Sequence, residues 1–503
     1  MSEQPKEQPI FDIFIIGAGS GGYHAALRAA QYDAKVAICE KKDVGGTCLN
    51  RGCIPTKALY SSANLLTDIR TKAKEFGIDF SSMPVPNFAQ AVERKNNVVK
   101  DLVTGIEGML KMRKIPLYRG HGKIVKANVD LNGEKVFECA VEGKDNVKVF
   151  ARKVIVGTGS VPAQIPVMNI DHKKILDSDD ILDPNFKKLP KKILIIGAGV
   201  IGCEFANIFA TMGVKVVMLE FLDTMLVTEE KLVIKELKKV FDDLKIELYT
   251  GQNVLKVETT PTGVKGTTCD AKVPKDQIAT AEKKTFEADM CLVSIGRAKV
   301  SANVGLEAVG VEIDRGQIKV DPKTLETKCP GVYAVGDVTG RMMLAHVAYA
   351  DANVAVANAL HAIGKFDVEP KVSDLSTVPW TIFTHPNIGT IGLREEAAKK
   401  KVQKVYTGRF YYSSLGKAKA MGEEEGFMMV VADGDNDKIL GATCIGAEAP
   451  ELISEIAVAM QNGLTCEQVA ATIHSHPTIS EMVLETVEDV HGMAIHKVGR
   501  RKK

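Results

Sequence analysis

The chain has 503 residues, 45% hydrophobic and 25% charged, and 65 Lys and Arg nearly balance 63 Asp and Glu, for a net charge of +2. That length holds about three or four domains of roughly 100–200 residues each. The composition excludes a disordered chain, offers no basic surplus for nucleic acid, and with ten Cys cannot supply a disulfide scaffold.

The N-terminal stretch MSEQPKEQPIFDIFIIG has neither the basic start and cleavage site of a secretory signal nor the Arg-rich character of a transit peptide. No run reaches the roughly 18 apolar residues of a membrane span. A reducing, cytoplasmic location without membrane or nucleic-acid partners is expected, the mitochondrial matrix being the alternative. FDIFIIGAGSGGYHAAL (11–27) then predicts an apolar strand, a Gly-rich turn (Gly17, Gly19, Ser20, Gly22) and a helix, and the next strand, KVAICE, ends in Glu40. GGTCLNRGCIPTKAL (45–59) carries Cys48 and Cys53. A helix-rich stretch (about 55–113) and short strands (about 115–157) follow. KKILIIGAGVIGCEFAN (191–207) repeats the first unit at an offset of 180, with Gly197, Gly199 and Gly202, and its second strand, KVVMLE, ends in Glu220. ADMCLVSIGR (288–297) and GVYAVGDV (331–338) read as later strands, about 362–377 as a connector, and VPWTIFTHP (378–386) as the opening of a final domain. The basic end HKVGRRKK reads as a solvated tail.

Each Gly-rich unit follows a strand, opens a helix and has an acid about 20 residues on, which is the full dinucleotide fingerprint. The glycines permit a tight turn and close backbone approach, the free N–H groups of the helix start attract a pyrophosphate, and the acid accepts from a ribose. Glu220 repels a 2′-phosphate and residues 214–226 contain no Arg, which favours NAD over NADP at the second site. Two dinucleotides in one chain imply electron transfer between a nicotinamide and a second carrier, most simply FAD.

On a straight helix Cys48 and Cys53 would stand roughly 8–9 Å apart, too far for a disulfide, which needs Cα atoms within about 7 Å. A bridge requires the backbone to distort between them, where Gly52 and Pro55 allow it. Alone, the spacing also fits two unrelated thiols or half a metal site, although no second Cys or His pair stands nearby at zinc spacing. The remaining Cys are scattered in apolar runs and read as core.

GAGSGG, GGTCLNRGC, GAGVIGCE, GVYAVGDV and HSHPTISE together resemble the flavin-dependent pyridine nucleotide–disulfide oxidoreductase family over nearly the whole chain, and within it the branch that oxidises dihydrolipoamide. The resemblance implies an α/β fold with two Rossmann-like dinucleotide-binding domains, a central region and an α+β C-terminal dimerisation domain. It divides the chain into an FAD-binding domain (1–160), an NAD-binding domain (161–287), a central domain completing the FAD site (288–370) and an interface domain (371–503) of a homodimer.

The matching positions carry implied roles. Cys53 would lie against the flavin and Cys48 would exchange with the substrate thiol. Lys57 would approach the flavin, paired with Glu204. Asp337 would bind the FAD ribitol, Met343, Leu344, Ala345 and His346 would line the flavin, and Gly46, Thr47, Gly122, Thr158, Gly159 and Ser160 would make further FAD contacts. Val200, Ile201, Glu204, Val254 and Gly296 would join the second motif in holding NAD. His476 would be the catalytic base with Glu481 orienting it, and His474 the structural member of the pair. No metal is implied. The partners would be lipoyl-bearing acyltransferase subunits of 2-oxo acid dehydrogenase complexes or the lipoyl protein of glycine cleavage. The rival readings are another NAD(P)H-dependent disulfide reductase, such as a glutathione reductase, and, remotely, a non-catalytic flavoprotein subunit. Two departures from the family pattern stand out: Arg51, where many relatives have Val, is expected either to lower a thiol pKa or to face solvent, and Tyr349-Ala350-Asp351 replaces a more acidic segment.

Overall fold

Strand Ile10–Ile16 is apolar apart from Asp12, which pairs with Arg152 at 2.9 Å, because it is buried on both faces: Ile13, Phe14 and Ile15 are wholly inaccessible. In the computed structural model, which describes residues 9–498, it is the middle of a parallel sheet. Val36–Glu40 and then Leu117–Leu131 lie on one side of it, and Val147–Val156 and Val332–Ala334 on the other. The stretch read as short strands is in fact a long antiparallel meander. Leu117–Leu131 pairs with Glu134–Gly143, which pairs with Val147–Val156. Helices Cys53–Lys72 and Phe88–Met112 fill the helix-rich stretch. Asn87 caps the second of these, its side chain accepting from the N–H of Gln90.

The second Gly-rich unit builds another parallel sheet, ordered Glu247–Tyr249, Lys215–Leu219, Lys192–Ile196, Met290–Val293, Ile175–Leu176. An antiparallel sheet of Gln252–Thr259, Val264–Asp270 and Lys284–Ala288 lies beside it. The segment after residue 287 is therefore shared: Met290–Val293 completes the second sheet and Val332–Ala334 the first. Helix Ala345–Ile363 ends at Gly364, with φ +78°, and the expected connector carries no regular structure up to Pro379.

The last region is an antiparallel sheet ordered Pro379–Ile382, Asn387–Gly392, Ile439–Gly446, Phe427–Asp433, Val405–Tyr411. All of Phe427–Asp433 is buried, and the two-residue strand period explains how. Met428, Val430 and Ala432 face a core with Ile453 and Ile456 of helix Ala449–Gln461 and Val483 and Val487 of helix Glu481–Val490. Phe427, Met429 and Val431 face the opposite core, with Phe205, Leu237 and Phe241 of the second nucleotide region. One strand thus ties the final region to the nucleotide-binding part. No described helix is long and apolar enough to cross a membrane. Of the basic tail, residues 499–503 lie outside the described residues.

Candidate active site

The two Gly-rich turns are built alike. Gly17 and Gly197 have φ of +97° and +100°, a region that favours glycine. A Cβ on Gly22 would come 1.8 Å from the carbonyl oxygen of Gly17, and one on Gly202 2.0 Å from that of Gly197. The third glycine of each motif therefore packs helix against turn. Both acids do more than the sequence suggested. Glu40 accepts from the N–H of Ala18 and of Lys42, each at 2.8 Å. Glu220 accepts from the N–H of Ala198 at 2.6 Å and of Leu222 at 2.8 Å. Each carboxylate fixes the first glycine turn and keeps lone pairs for a ribose.

A cavity of about 880 Å³ opens from the first turn, within the size range of ligand pockets. Gly17, Gly19, Ser20, Glu40, Gly46, Thr47, Cys48, Cys53, Lys57, Gly122, Thr158, Gly159, Ser160, Asp337 and Met343 to His346 line it, as do Val200, Ile201 and Glu204 of the second unit. Gly22, Gly197, Gly199, Gly202, Glu220, Val254 and Gly296 do not. The donors suit FAD: a helix start for the pyrophosphate, an acid for a ribose, and a mixed polar and apolar wall beyond. Gly46 leaves the cradle open, because a Cβ there would come 2.5 Å from the Cα of Gly19.

Sequence reasoning missed Arg297. Its Nε donates to Ser160 Oγ at 2.7 Å and its NH2 to the carbonyl of Ser160 at 2.9 Å, while Ser160 Oγ donates to Asp337. This chain of bonds orients Asp337 from a residue directly after Gly296. Its only trace in the sequence was an Arg closing an apolar strand. Trp380 and Phe383 of the last region also line the cavity and were not anticipated.

The cysteines flank a helix break. Helix Gly46–Arg51 stops at Gly52, and helix Cys53–Lys72 starts anew. A Cβ on Gly52 would lie 3.0 Å from the carbonyl oxygen of Thr47 and 3.3 Å from the Cα of Cys48, so the chain folds tightly back there. The distortion expected between the two thiols is present, and both are free cysteines. A hydrogen bond from Cys48 lowers the pKa of the Cys53 thiol and the Lys57 ammonium lowers it further, although burial opposes both. The same hydrogen bond, with burial, raises that of Cys48. The Lys57 ammonium, one turn along the helix from Cys53, favours a thiolate there.

Lys57, one turn beyond Cys53, donates to both carboxylate oxygens of Glu204 at 2.8 and 2.9 Å. Its ammonium stands 4.5 Å from the ring centre of Phe383, whose N–H donates to Glu204 at 3.0 Å. Three regions of the chain meet at this pair, of which Glu204 is buried and Lys57 partly so. Arg51 does not face open solvent. It pairs with Asp43 in the loop before its own helix and with Asp179 in the short helix Ser178–Ile181. In the other departure, Tyr349 stacks on His24 at 5.1 Å and shares a 3.0 Å hydrogen bond with Tyr23, while buried Asp351 pairs with Arg341 at 3.0 Å.

His476 and Glu481 lie outside the cavity, on the surface of the last region. His476 Nδ1 is 2.8 Å from Glu481 Oε1, and the N–H of Thr478 donates to Oε2 at 3.0 Å. With Nδ1–H given to the carboxylate, Nε2 is left as a base, and the ring is 77% exposed. Both nitrogens of His474 are occupied, by the carbonyl of Thr472 and by Glu455, each at 2.8 Å. Within one chain the structure does not bring His476 to the cysteines.

Comparison with known proteins follows this geometry. The family model described as pyridine nucleotide-disulphide oxidoreductase matches residues 11–352, and that family's dimerisation domain matches 378–487. A dihydrolipoyl dehydrogenase of Bacillus subtilis is 37% identical, covering 97% of this chain and 99% of its own. The mitochondrial dihydrolipoyl dehydrogenase 1 of Arabidopsis thaliana is 34% identical over 96% of this chain and 91% of its own. Among solved structures, LpdA of Mycobacterium tuberculosis superposes with a TM-score of 0.84 at 26% identity, covering 95% of this chain and 99% of its own. The flavoprotein disulfide reductase RclA of Escherichia coli has the same fold, with a TM-score of 0.80 at 24% identity over 95% of this chain and 99% of its own.

Proposed function

The chain belongs to the pyridine nucleotide-disulphide oxidoreductases, enzymes that bind FAD and NAD(H), and we propose that it oxidises protein-bound dihydrolipoamide to lipoamide while reducing NAD to NADH. The observation that carries this reading is the thiol pair in the cavity wall, split by a helix break, with Lys57 one turn from Cys53.

In the oxidised enzyme Cys48 and Cys53 share a disulfide. His476 takes a proton from one substrate thiol, because only the thiolate is nucleophilic. That thiolate attacks Cys48 Sγ, the Cys48–Cys53 bond breaks, and Cys53 leaves as a thiolate stabilised by the Lys57 charge. His476, having passed its first proton to solvent, accepts the proton of the second substrate thiol. The new thiolate displaces Cys48, closing the lipoamide disulfide, and Cys48 leaves as a thiolate that takes up a proton. The substrate has lost two electrons and the cysteine pair has gained them. Bound FAD supplies the two-electron relay from this dithiol to NAD. Glu204 holds Lys57 in place, and Arg297 through Ser160 holds Asp337 for the FAD ribitol.

Because His476 is remote from the cysteines of its own chain, the site is assigned to a homodimer in which each subunit's base serves the other's thiols. The lipoyl partner is a lipoyl-bearing acyltransferase subunit of a 2-oxo acid dehydrogenase complex or the lipoyl protein of glycine cleavage, in the cytoplasm. His476→Gln should cut dihydrolipoamide oxidation about 10²–10⁴-fold and spare NADH-driven dye reduction. Undiminished dihydrolipoamide turnover in that variant would overturn the assignment.

A further inference from the structure

One helical turn beyond Glu481, on helix Glu481–Val490, stands a second carboxylate, Glu485, only 6% exposed. Its partner comes from the C-terminal segment. His496 Nδ1 lies 2.6 Å from Glu485 Oε1, and the N–H of His496 donates to Oε2 at 3.2 Å. The next residue, Lys497, donates to Asp489 at 2.6 Å and to the carbonyl of Arg409 at 2.7 Å. Residues 492–498 are thus strapped along the helix whose first residue orients His476.

Carboxylates one turn apart are neighbours, and a buried one is poorly screened by water. Among the described residues His496 is the only cationic side chain paired with Glu485. The other ionic groups around the strap are Glu488 and Asp489 on the helix and Lys497 on the strap itself. From strand Val405–Tyr411, Arg409 contributes backbone: its N–H donates to Asp489. Without a positive His496, Glu481 and Glu485 would repel each other and add negative potential at His476.

We propose that His496 is a positioning residue of the dihydrolipoamide reaction: paired with Glu485, it offsets the charge of that second carboxylate beside the Glu481–His476 pair and shifts the pH below which the base is lost. This rests on the role assigned to His476 above. The electrostatics point the same way. The hydrogen bond to Glu485 raises the pKa of His496, and Glu481 and Glu488 add to it. Burial would raise that of Glu481, but its bond to His476, the Thr478 N–H and the charges of His476 and His496 bring it below the ordinary carboxylate value.

The test is the pH dependence of kcat/KM for dihydrolipoamide oxidation in wild type, His496→Gln, His496→Arg and His476→Gln, with NADH–dye reduction measured alongside. Removing the positive charge beside Glu485 leaves more negative potential near the base and favours its protonated, inactive form. His496→Gln should therefore move the acid limb up by about 0.3–0.5 pH units, a two- to threefold loss of kcat/KM on that limb. His496→Arg, which keeps the charge, should restore the wild-type limb, and dye reduction should be unchanged in both. An unshifted limb in His496→Gln while His476→Gln is inactive would overturn the proposal alone. So would parallel loss of both activities in both His496 variants, which would mark a purely structural strap. Surviving dihydrolipoamide turnover in His476→Gln would instead overturn the assignment of the base.

Discussion

Residues 11–40 and 191–220 fold into the same strand, turn, helix and strand, and in each a terminal glutamate grips the N–H of the residue after the first glycine. Their surroundings differ. At the second glycine of the first unit, Gly46 closes in and the turn opens into a walled cavity holding the cysteines. At the corresponding Gly199 nothing stands within 4 Å, and the following Val200 is 40% exposed. The motif builds a phosphate end in both places. Segments distant in sequence decide how far each turn is enclosed, and on the proposed reading the walled one holds the FAD and the open one the exchangeable NAD.

Four perturbations would break or sharpen that contrast. Cys48→Ser should reduce dihydrolipoamide oxidation by about 10³-fold or more and leave NADH-driven dye reduction in place, because in the proposed reaction the sulfur chemistry belongs to the walled site. Near-normal oxidation by this variant would detach that chemistry from the first site. Glu204→Ala, at the junction of the two sites, strands the Lys57 charge. Thermal melting should show a loss of about 2–3 kcal/mol, below the fully buried figure because Lys57 keeps some solvent contact. Gly22→Ala and Gly202→Ala introduce matching clashes and should each cost about 1–3 kcal/mol. Their consequences should diverge. The first should purify with flavin depleted, while the second keeps its flavin and shows a raised KM for NAD. Identical phenotypes would mean the two settings are functionally equivalent.

The smallest effect concerns Arg51. Arg51→Gln should cost under about 1 kcal/mol and leave the alkylation of Cys53 unchanged across pH. Lys57→Met should shift that alkylation to higher pH, since losing a neighbouring cation raises the thiol pKa. A shift in Arg51→Gln as large as that in Lys57→Met would make Arg51 a thiol-tuning residue after all.

Much of the site was legible in the sequence because each element is local. The glycine spacing, the acids 20 residues on, and a Gly between two Cys all act within one turn or one strand pair. His474 and His476 were separable by motif, and their hydrogen bonds give the reason: one ring has both nitrogens satisfied and the other keeps one free. What escaped was set by contacts between distant segments. Arg297 meets Ser160 across 137 positions, and Phe383, just past strand Pro379–Ile382, closes over Lys57 from the last region. The second duty of Glu40 and Glu220, holding the turn, was hidden because a carboxylate at a strand end reads equally well as a ribose acceptor. Arg51 failed for a related reason: Asp179, one of its partners, lies 128 positions away. The long meander was read as short strands because its outer residues face solvent and break the apolar runs.

The most direct measurement compares steady-state turnover of the purified protein with dihydrolipoamide plus NAD against glutathione disulfide plus NADPH. The account predicts NADH formation in the first pair and negligible NADPH consumption in the second. Turnover only with glutathione disulfide and NADPH would contradict it.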